Sequence, residues 1–153
     1  MIRYACYRFS FGSVTIGYED DAVVFLKIGC DPLLPNSPSS LTDLAAQQLK
    51  EYFDGTRNAF TFPIRLHGTD FQKAVWEELG RIPYGETRTY GQIAAAIGNP
   101  KAARAIGQAV NKNPIWIAVP CHRIIGKHHE LTGYAGGLEL KQKLLDLEQN
   151  ITQ

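Results

Sequence analysis

The sequence predicts an α+β chain, with a small strand-rich domain over residues 1–66 and a helical domain over residues 67–153. Three observations carry this. The first part alternates apolar and polar side chains and is rich in Tyr, Phe, Val, Thr and Ile. Near His67 the pattern changes to that of amphipathic helices. Further on, two short helical segments are joined by Gly98-Asn99-Pro100, a tight connection of the helix-turn-helix kind.

The elements follow in order. "YACYRFSFGSVTIGYED" reads as strand, punctuated by Gly12 and Gly17, and the acidic turn Glu19-Asp20-Asp21 leads to a buried strand "AVVFLKIG". "CDPLLPNSPSS" is a proline-rich loop. Thr42 or Asp43 is placed to cap a helix "LAAQQLKEYFDG", with Leu44, Leu49, Tyr52 and Phe53 toward the core and Gly55 as its stop. "AFTFPIRL" is expected as an edge strand, because Pro63 has no N–H to give a ladder. "TDFQKAVWEELGRIP" is an amphipathic helix capped by Thr69 or Asp70, and Pro83-Tyr84-Gly85 turns the chain. "TYGQIAAAIG" is a short helix stopped by Gly98, and the next, "PKAARAIGQAVNKN", is expected to carry Pro100 in its first turn. A glycine-rich loop precedes the last helix, "LELKQKLLDLE", which is expected to turn Leu140, Leu144 and Leu147 inward.

Composition sets limits. Hydrophobic residues make up 44% and charged residues 20%, as in an ordinary globular protein. No apolar run reaches membrane-spanning length, and "MIRYACYRFS" carries no signal-peptide core, so the expected compartment is the cytoplasm, with no membrane partner. Three cysteines, Cys6, Cys30 and Cys121, cannot all pair, and none stands in a CxxC spacing. A disulfide framework is not expected, nor is a metal: zinc would have to recruit the scattered Cys6, Cys30 and His67. Cys6 and Cys30 are expected to be buried packing residues.

The net charge of +1 conceals an uneven distribution. From Thr87 to His129 there is no Asp or Glu, while Arg88, Lys101, Arg104, Lys112, Arg123 and Lys127 fall in that window. Such a stretch suits either an anionic partner or a solvated basic face. The second helix of the pair favours the partner. At about 100° per residue, Ile106 and Val110 share one face and Arg104 points away from it, in line with Gly107, Gln108 and Asn111. One long cation among small and polar side chains lets a helix approach a groove closely while a single side chain probes deeper.

The chemistry-bearing stretch is "VPCHRIIG". A thiolate is a nucleophile, and it needs a base or a positive field to form at neutral pH. His122 and Arg123 stand next to Cys121 as candidates for both. In an extended segment Cys121 and His122 would face opposite sides, so a turn at Pro120 or a bridging water would be required. Against this stands the ordinary fate of a free cysteine, a small buried hydrophobe. Glu148 ends the last helix, where a carboxylate opposes the helix dipole. It is either a surface residue or a buried group that orients His122.

"VPCHRIIG" followed by "GYAGG", and preceded by "IPYGETRTYGQIA" and "PKAARAIGQA", resembles the O6-alkylguanine-DNA alkyltransferases over Thr69 to Glu148. The resemblance implies a ribonuclease-H-like N-terminal domain and a winged helix-turn-helix C-terminal domain. It implies direct repair, in which Cys121 irreversibly takes the alkyl group from O6-alkylguanine, and possibly from O4-alkylthymine, in double-stranded DNA. One chain would serve one turnover, as a monomer and without a cofactor.

The same resemblance assigns roles. The Cys121 thiolate would form through a water held by His122, with Glu148 completing the relay and Asn113 bracing the turn. Tyr90 would contact the extruded nucleotide, and Arg104 would fill the gap left by the flipped base. Small side chains around Arg104 suit entry from the minor groove. Backbone groups at Cys121, Ile124 and Ala135 would read the guanine edge, with Tyr134 and Gly136 in the same base-binding loop. Ala135 replaces a Ser of some relatives, so only a backbone contact is expected there. Trp116 replaces a smaller residue and would restrict bulky substituents. The rivals are a lesion-binding protein without chemistry, which Cys121 argues against, a transcription factor, and a cysteine hydrolase, which would leave the basic helix unexplained.

Overall fold

The structure is a computed structural model that describes residues 1–150. The chain divides into two compact units, one of Met1–His67 with Pro114–Trp116 and one of Gly68–Asn113 with the chain from Ile117 onward.

The first unit is built on an antiparallel meander, β1 (Arg3–Phe9), β2 (Gly12–Glu19) and β3 (Ala22–Ile28), in that spatial order. Val14, Ile16, Val23 and Leu26 are fully buried. Helix α1 (Ser40–Phe53) contributes Ala45, Ala46, Leu49 and Tyr52 to this core. Gly17 is required by close approach, since a Cβ there would lie 2.8 Å from the Phe25 Cβ.

Four expectations for this unit need correction. Helix α1 is capped by Ser39, in a box with Thr42, and its buried stripe runs through Ala45, Gln48, Leu49 and Tyr52. Leu44 is exposed instead, and buried Gln48 is satisfied by both the Thr61 hydroxyl and the Thr61 N–H. Residues 59–66 form no strand: Ile64 makes one parallel bridge to Val23, flanked by hydrogen bonds at Pro63 and Arg65, and the missing Pro63 N–H ends the pairing there. A similar bridge from Ile115 covers Leu26, so two short segments blunt the outer edge of β3.

The fourth correction concerns the cysteines. Cys6 and Cys30 are joined as a disulfide, with Cα atoms 5.8 Å apart, and both are half-buried. They lie on opposite sides of β2 in the sheet order, which sequence spacing does not reveal. The chain after β3 crosses back toward β1, where the Asn36 side chain accepts from the Cys6 N–H and Ser37 N–H donates to the Tyr4 carbonyl. His67, the third residue of the discarded zinc set, lies 3.1 Å from Glu19. Trp116 is buried in this unit, its N–H on the Leu26 carbonyl and the Lys27 ammonium 5.7 Å from its ring.

The second unit holds α2 (Asp70–Leu79), β4 (Arg88–Thr89), α3 (Tyr90–Ala96), α4 (Ala103–Asn111), a one-turn 3-10 helix (Cys121–Arg123), β5 (Ile124–Ile125) and α5 (Leu138–Glu148). Thr69 with Gln72 and Thr89 with Gln92 close capping boxes on α2 and α3. Helix α4 begins at Ala103 without a side-chain cap, so Pro100 lies in the preceding turn rather than inside the helix. Trp76 anchors α2 to α4 by donating its ring N–H to the Ala109 carbonyl at 2.9 Å. Strands β4 and β5 pair in parallel, which brings the segment before α3 beside the segment after Cys121. Helix α5 is turned relative to expectation: Lys141, Leu144, Leu145 and Glu148 are buried, while Leu140 and Leu147 are only half-buried.

Candidate active site

Cys121 opens the 3-10 turn that follows Pro120, so the segment is not extended at the thiol. The turn lies over the end of α5, where the buried groups of both elements meet. Cys121 is 2% exposed and His122 is fully buried. Ile117, four residues upstream, is held at φ +73, a strained conformation for a β-branched residue in the approach to the site.

Glu148 is buried and accepts from three directions. His122 Nε2 donates to Oε2 at 2.6 Å, Arg123 Nε to Oε1 at 2.6 Å, and a terminal Arg123 nitrogen to Oε2 at 3.0 Å. Gly85 N–H adds a long contact to Oε1 at 3.4 Å. Gly85 has φ +82, and a Cβ there would press on the Glu148 carbonyl at 3.2 Å, so this turn needs glycine. The other terminal nitrogen of Arg123 donates to the Ile82 carbonyl at 2.7 Å. Thus Arg123 offsets the helix-dipole penalty at Glu148 and is committed to it, rather than lending its charge to the thiol.

With Nε2 spent on Glu148, the other ring nitrogen of His122, Nδ1, is the one that holds a lone pair. No protein group among the described residues hydrogen-bonds to it. Burial holds the His122 pKa below the ordinary imidazole value, against the opposing pull of Glu148. A neutral imidazole with Nδ1 open is a general base in waiting.

Asn113 does more than brace the turn. Its side-chain amide donates to the Val119 carbonyl at 2.8 Å and to the Cys121 sulfur at 3.1 Å. Burial pushes the Cys121 thiol up to about 11, with the Asn113 bond, Lys141 and the Tyr134 hydroxyl pulling the other way. The resting sulfur is therefore a neutral thiol at pH 7, and charging it requires a base.

The structure places the other expected residues around this centre. Tyr134 is buried and its hydroxyl interacts with the Cys121 sulfur. Ala135 is exposed and Gly136 half-buried in the loop that leads into α5. Ile124 is fully buried and its N–H caps the Cys121 carbonyl, so its donor is already used. Tyr90 and Arg104 line an open groove of about 920 Å³, with Thr89, Gly107, Lys127 and Thr132. The Thr132 hydroxyl donates to the Tyr90 hydroxyl at 3.0 Å. Arg104, Gln108 and Asn111 are exposed along the outer face of α4.

The one buried charged residue of this site that sequence reading missed is Lys141. Its signal was its place at i+4 from Gly137 and i−7 from Glu148, on one face of α5. Lysine is rarely buried, so that face reads as solvated until its partners are known.

Comparison with known proteins agrees with this arrangement along the chain. The ribonuclease-like domain of the 6-O-methylguanine DNA methyltransferases matches residues 2–66, and their DNA binding domain matches residues 70–150. A methylated-DNA–protein-cysteine methyltransferase of Methanosarcina acetivorans is 59% identical over 104 residues, 68% of this chain and 67% of that protein. One from Mycolicibacterium paratuberculosis is 43% identical over 155 residues, 97% of this chain and 93% of that one. The crystal structure of Mycobacterium tuberculosis OGT in complex with DNA superposes with a TM-score of 0.89 at 41% identity, covering 97% of this chain and 93% of that one.

Proposed function

Because the chain belongs to the 6-O-methylguanine DNA methyltransferase family, we propose that Cys121 is the residue that accepts the alkyl group, and that its substrate is O6-alkylguanine in double-stranded DNA. The protein is a DNA-repair transferase that moves a methyl group from DNA to a cysteine of its own chain.

One observation carries the assignment of the acceptor. Of the three cysteines, Cys6 and Cys30 are bonded to each other, which leaves Cys121 as the free thiol. It is also the thiol that sits with Asn113 and the His122–Glu148 pair. In the proposed reaction the Cys121 proton leaves toward His122 Nδ1 through a bridging water, and Glu148 stabilises the imidazolium that forms. The sulfur attacks the alkyl carbon, the carbon–O6 bond breaks, and its electron pair stays with the guanine. The proton taken from the thiol returns to the guanine, so atoms and charge balance. A thioether has no easy hydrolytic exit, so each chain acts once.

Tyr90 and Arg104 give the groove its role. The O6 atom of a stacked, paired guanine is out of reach of a thiol this deeply buried, so the nucleotide must leave the stack. Arg104, exposed on a face with Gly107 beside it, fills the place left in the duplex, and Tyr90 meets the extruded nucleotide. Tyr134, Ala135 and Gly136 form the wall that the base meets, Ala135 through its backbone. We propose that the protein acts as a monomer in the cytoplasm.

The test is a mass measurement. After incubation with a duplex oligonucleotide containing O6-methylguanine, the peptide bearing Cys121 gains one methylene, and a Cys121→Ala protein gains none. An unmodified Cys121 in a protein that removes methyl from the DNA would overturn the assignment.

A further inference from the structure

The acid-free stretch that begins at Thr87 ends at Glu130, and Glu130 lines the groove of Tyr90 and Arg104. Two cations, Arg104 and Lys127, share that wall with its carboxylate. DNA phosphates repel a carboxylate, so one on a DNA-facing wall costs affinity unless the duplex offers it a donor.

The carboxylate is held in place. Residues 126–130 form a tight turn, in which His129 N–H donates to the Gly126 carbonyl and Gly126 N–H to the Glu130 carbonyl, both at 2.9 Å. His129 closes the turn in the left-handed region, at φ +64. The Glu130 side chain folds back over this turn. Its Oε2 accepts from the His128 N–H at 2.8 Å, and its carboxyl lies so close over buried Gly126 that a Cβ there would collide with it. Hydrogen bonds from its own N–H and from His128 N–H, with His128 and His129 close by, hold the carboxyl below the ordinary carboxylate range against some desolvation. At neutral pH it is therefore an acceptor and not a donor. The His128 N–H takes one of roughly four lone-pair sites, which leaves capacity for a partner in the groove.

The minor groove narrows what that partner is. A·T and T·A pairs show only acceptors there, and a G·C pair adds one donor, the guanine 2-amino group. We propose that Glu130 accepts from the 2-amino group of a guanine in a base pair close to the lesion, so that repair depends on the neighbouring sequence. The inference deepens the proposed function and rests on this groove taking the duplex from its minor-groove side. Arg104 and Lys127 do not make the distinction. They are donors, and every base pair shows them minor-groove acceptors, so they carry affinity and not this choice.

The experiment compares single-turnover methyl transfer from duplexes that differ in one base pair, one or two steps to either side of O6-methylguanine. The pair is G·C, inosine·C (which lacks the 2-amino group), A·T, or 2,6-diaminopurine·T (which adds it). Wild type is expected to favour the two amine-bearing pairs over their counterparts by at least about fivefold at one of these positions, the low end for a good base contact. Glu130→Ala and Glu130→Gln are expected to lose that preference, and glutamine still offers an oxygen to the His128 N–H. The readout is a ratio between duplexes within one protein, so a change in folding or in overall DNA affinity cancels. Wild type that treats G·C and inosine·C alike at every position overturns the proposal. So does a preference that survives in both variants, or a variant that speeds or slows all four duplexes by one common factor with the wild-type ratios intact. Failure of the underlying repair reading is seen separately, as wild-type protein that takes no methyl from any of the four.

Discussion

Arg123 grips both oxygens of Glu148 inside the protein, Nε on Oε1 at 2.6 Å and a terminal nitrogen on Oε2 at 3.0 Å. Oε2 is shared with His122, so one carboxylate serves as structural anchor and as partner of the base. These two duties cannot be separated by removing the charge. Glu148→Gln would turn an amide toward the guanidinium and leave a buried cation without its anion. We expect a stability loss of about 3–5 kcal/mol, read from urea midpoints. Methyl transfer, read in single-turnover assays, should slow by about a hundredfold or more. Unchanged stability would show that the ion pair does not form.

The pH dependence of stability follows from His122. Burial holds its folded pKa below the ordinary imidazole value, whereas the unfolded chain takes a proton near pH 6.5. As pH falls through that value the unfolded state binds more protons than the folded one, and stability falls with it. Lys141 does not interfere, because its lowered pKa acts above about pH 8. Urea midpoints should therefore drop between pH 7.5 and 5.5 in the wild type. The drop should shrink in His122→Gln. Equal drops in the two proteins would remove His122 as the cause.

Arg104 belongs to the groove and not to the thiol's surroundings. Arg104→Ala should slow repair of O6-methylguanine in duplex DNA by at least about tenfold, because the proposed filler of the flipped state is removed. Reaction with the free O6-alkylated base, which needs no flipping, should stay within about twofold of wild type. Parallel loss in both assays would mean that Arg104 acts on the chemistry.

The Cys6–Cys30 disulfide closes a loop of 24 residues in sequence separation. Loop-closure entropy gives such a bond about 3 kcal/mol. Cys6→Ser with Cys30→Ser should lower the thermal midpoint of the N-terminal domain, and a reductant should lower that of the wild type to match. Methyl transfer should persist in the double variant, since the proposed acceptor is Cys121. Insensitivity of the wild-type midpoint to a reductant would argue that the bond adds nothing to stability.

Much of the site was legible locally. Cys121 and His122 are adjacent in the chain, and Thr69, Thr89 and Gly98 mark helix ends through contacts a few residues long. The outward direction of Arg104 follows from helical spacing against Ile106, and the structure leaves it exposed as that spacing requires. These features depend on backbone preference and on neighbours within a turn, which sequence order records.

The sequence by itself thus determined the α+β order, the helix pair with its exposed Arg104, and the adjacency of Cys121 and His122, the pair proposed as nucleophile and base. Tertiary structure alone decided which charged residues go inside. Glu148 is buried because Arg123 and His122, more than twenty residues away, saturate its oxygens, and Lys141 is buried with its ammonium on the Thr132 carbonyl. The same holds for Cys6 and Cys30, joined only where the chain crosses back over the sheet, and for residues 59–66, which meet Val23 at a single bridge. A helix pattern gives the spacing of a face but not its phase, and burial of a charge depends on the partner that meets it. That partner is set by packing between distant segments, where the free energy of pairing outweighs the local preference of either residue for water.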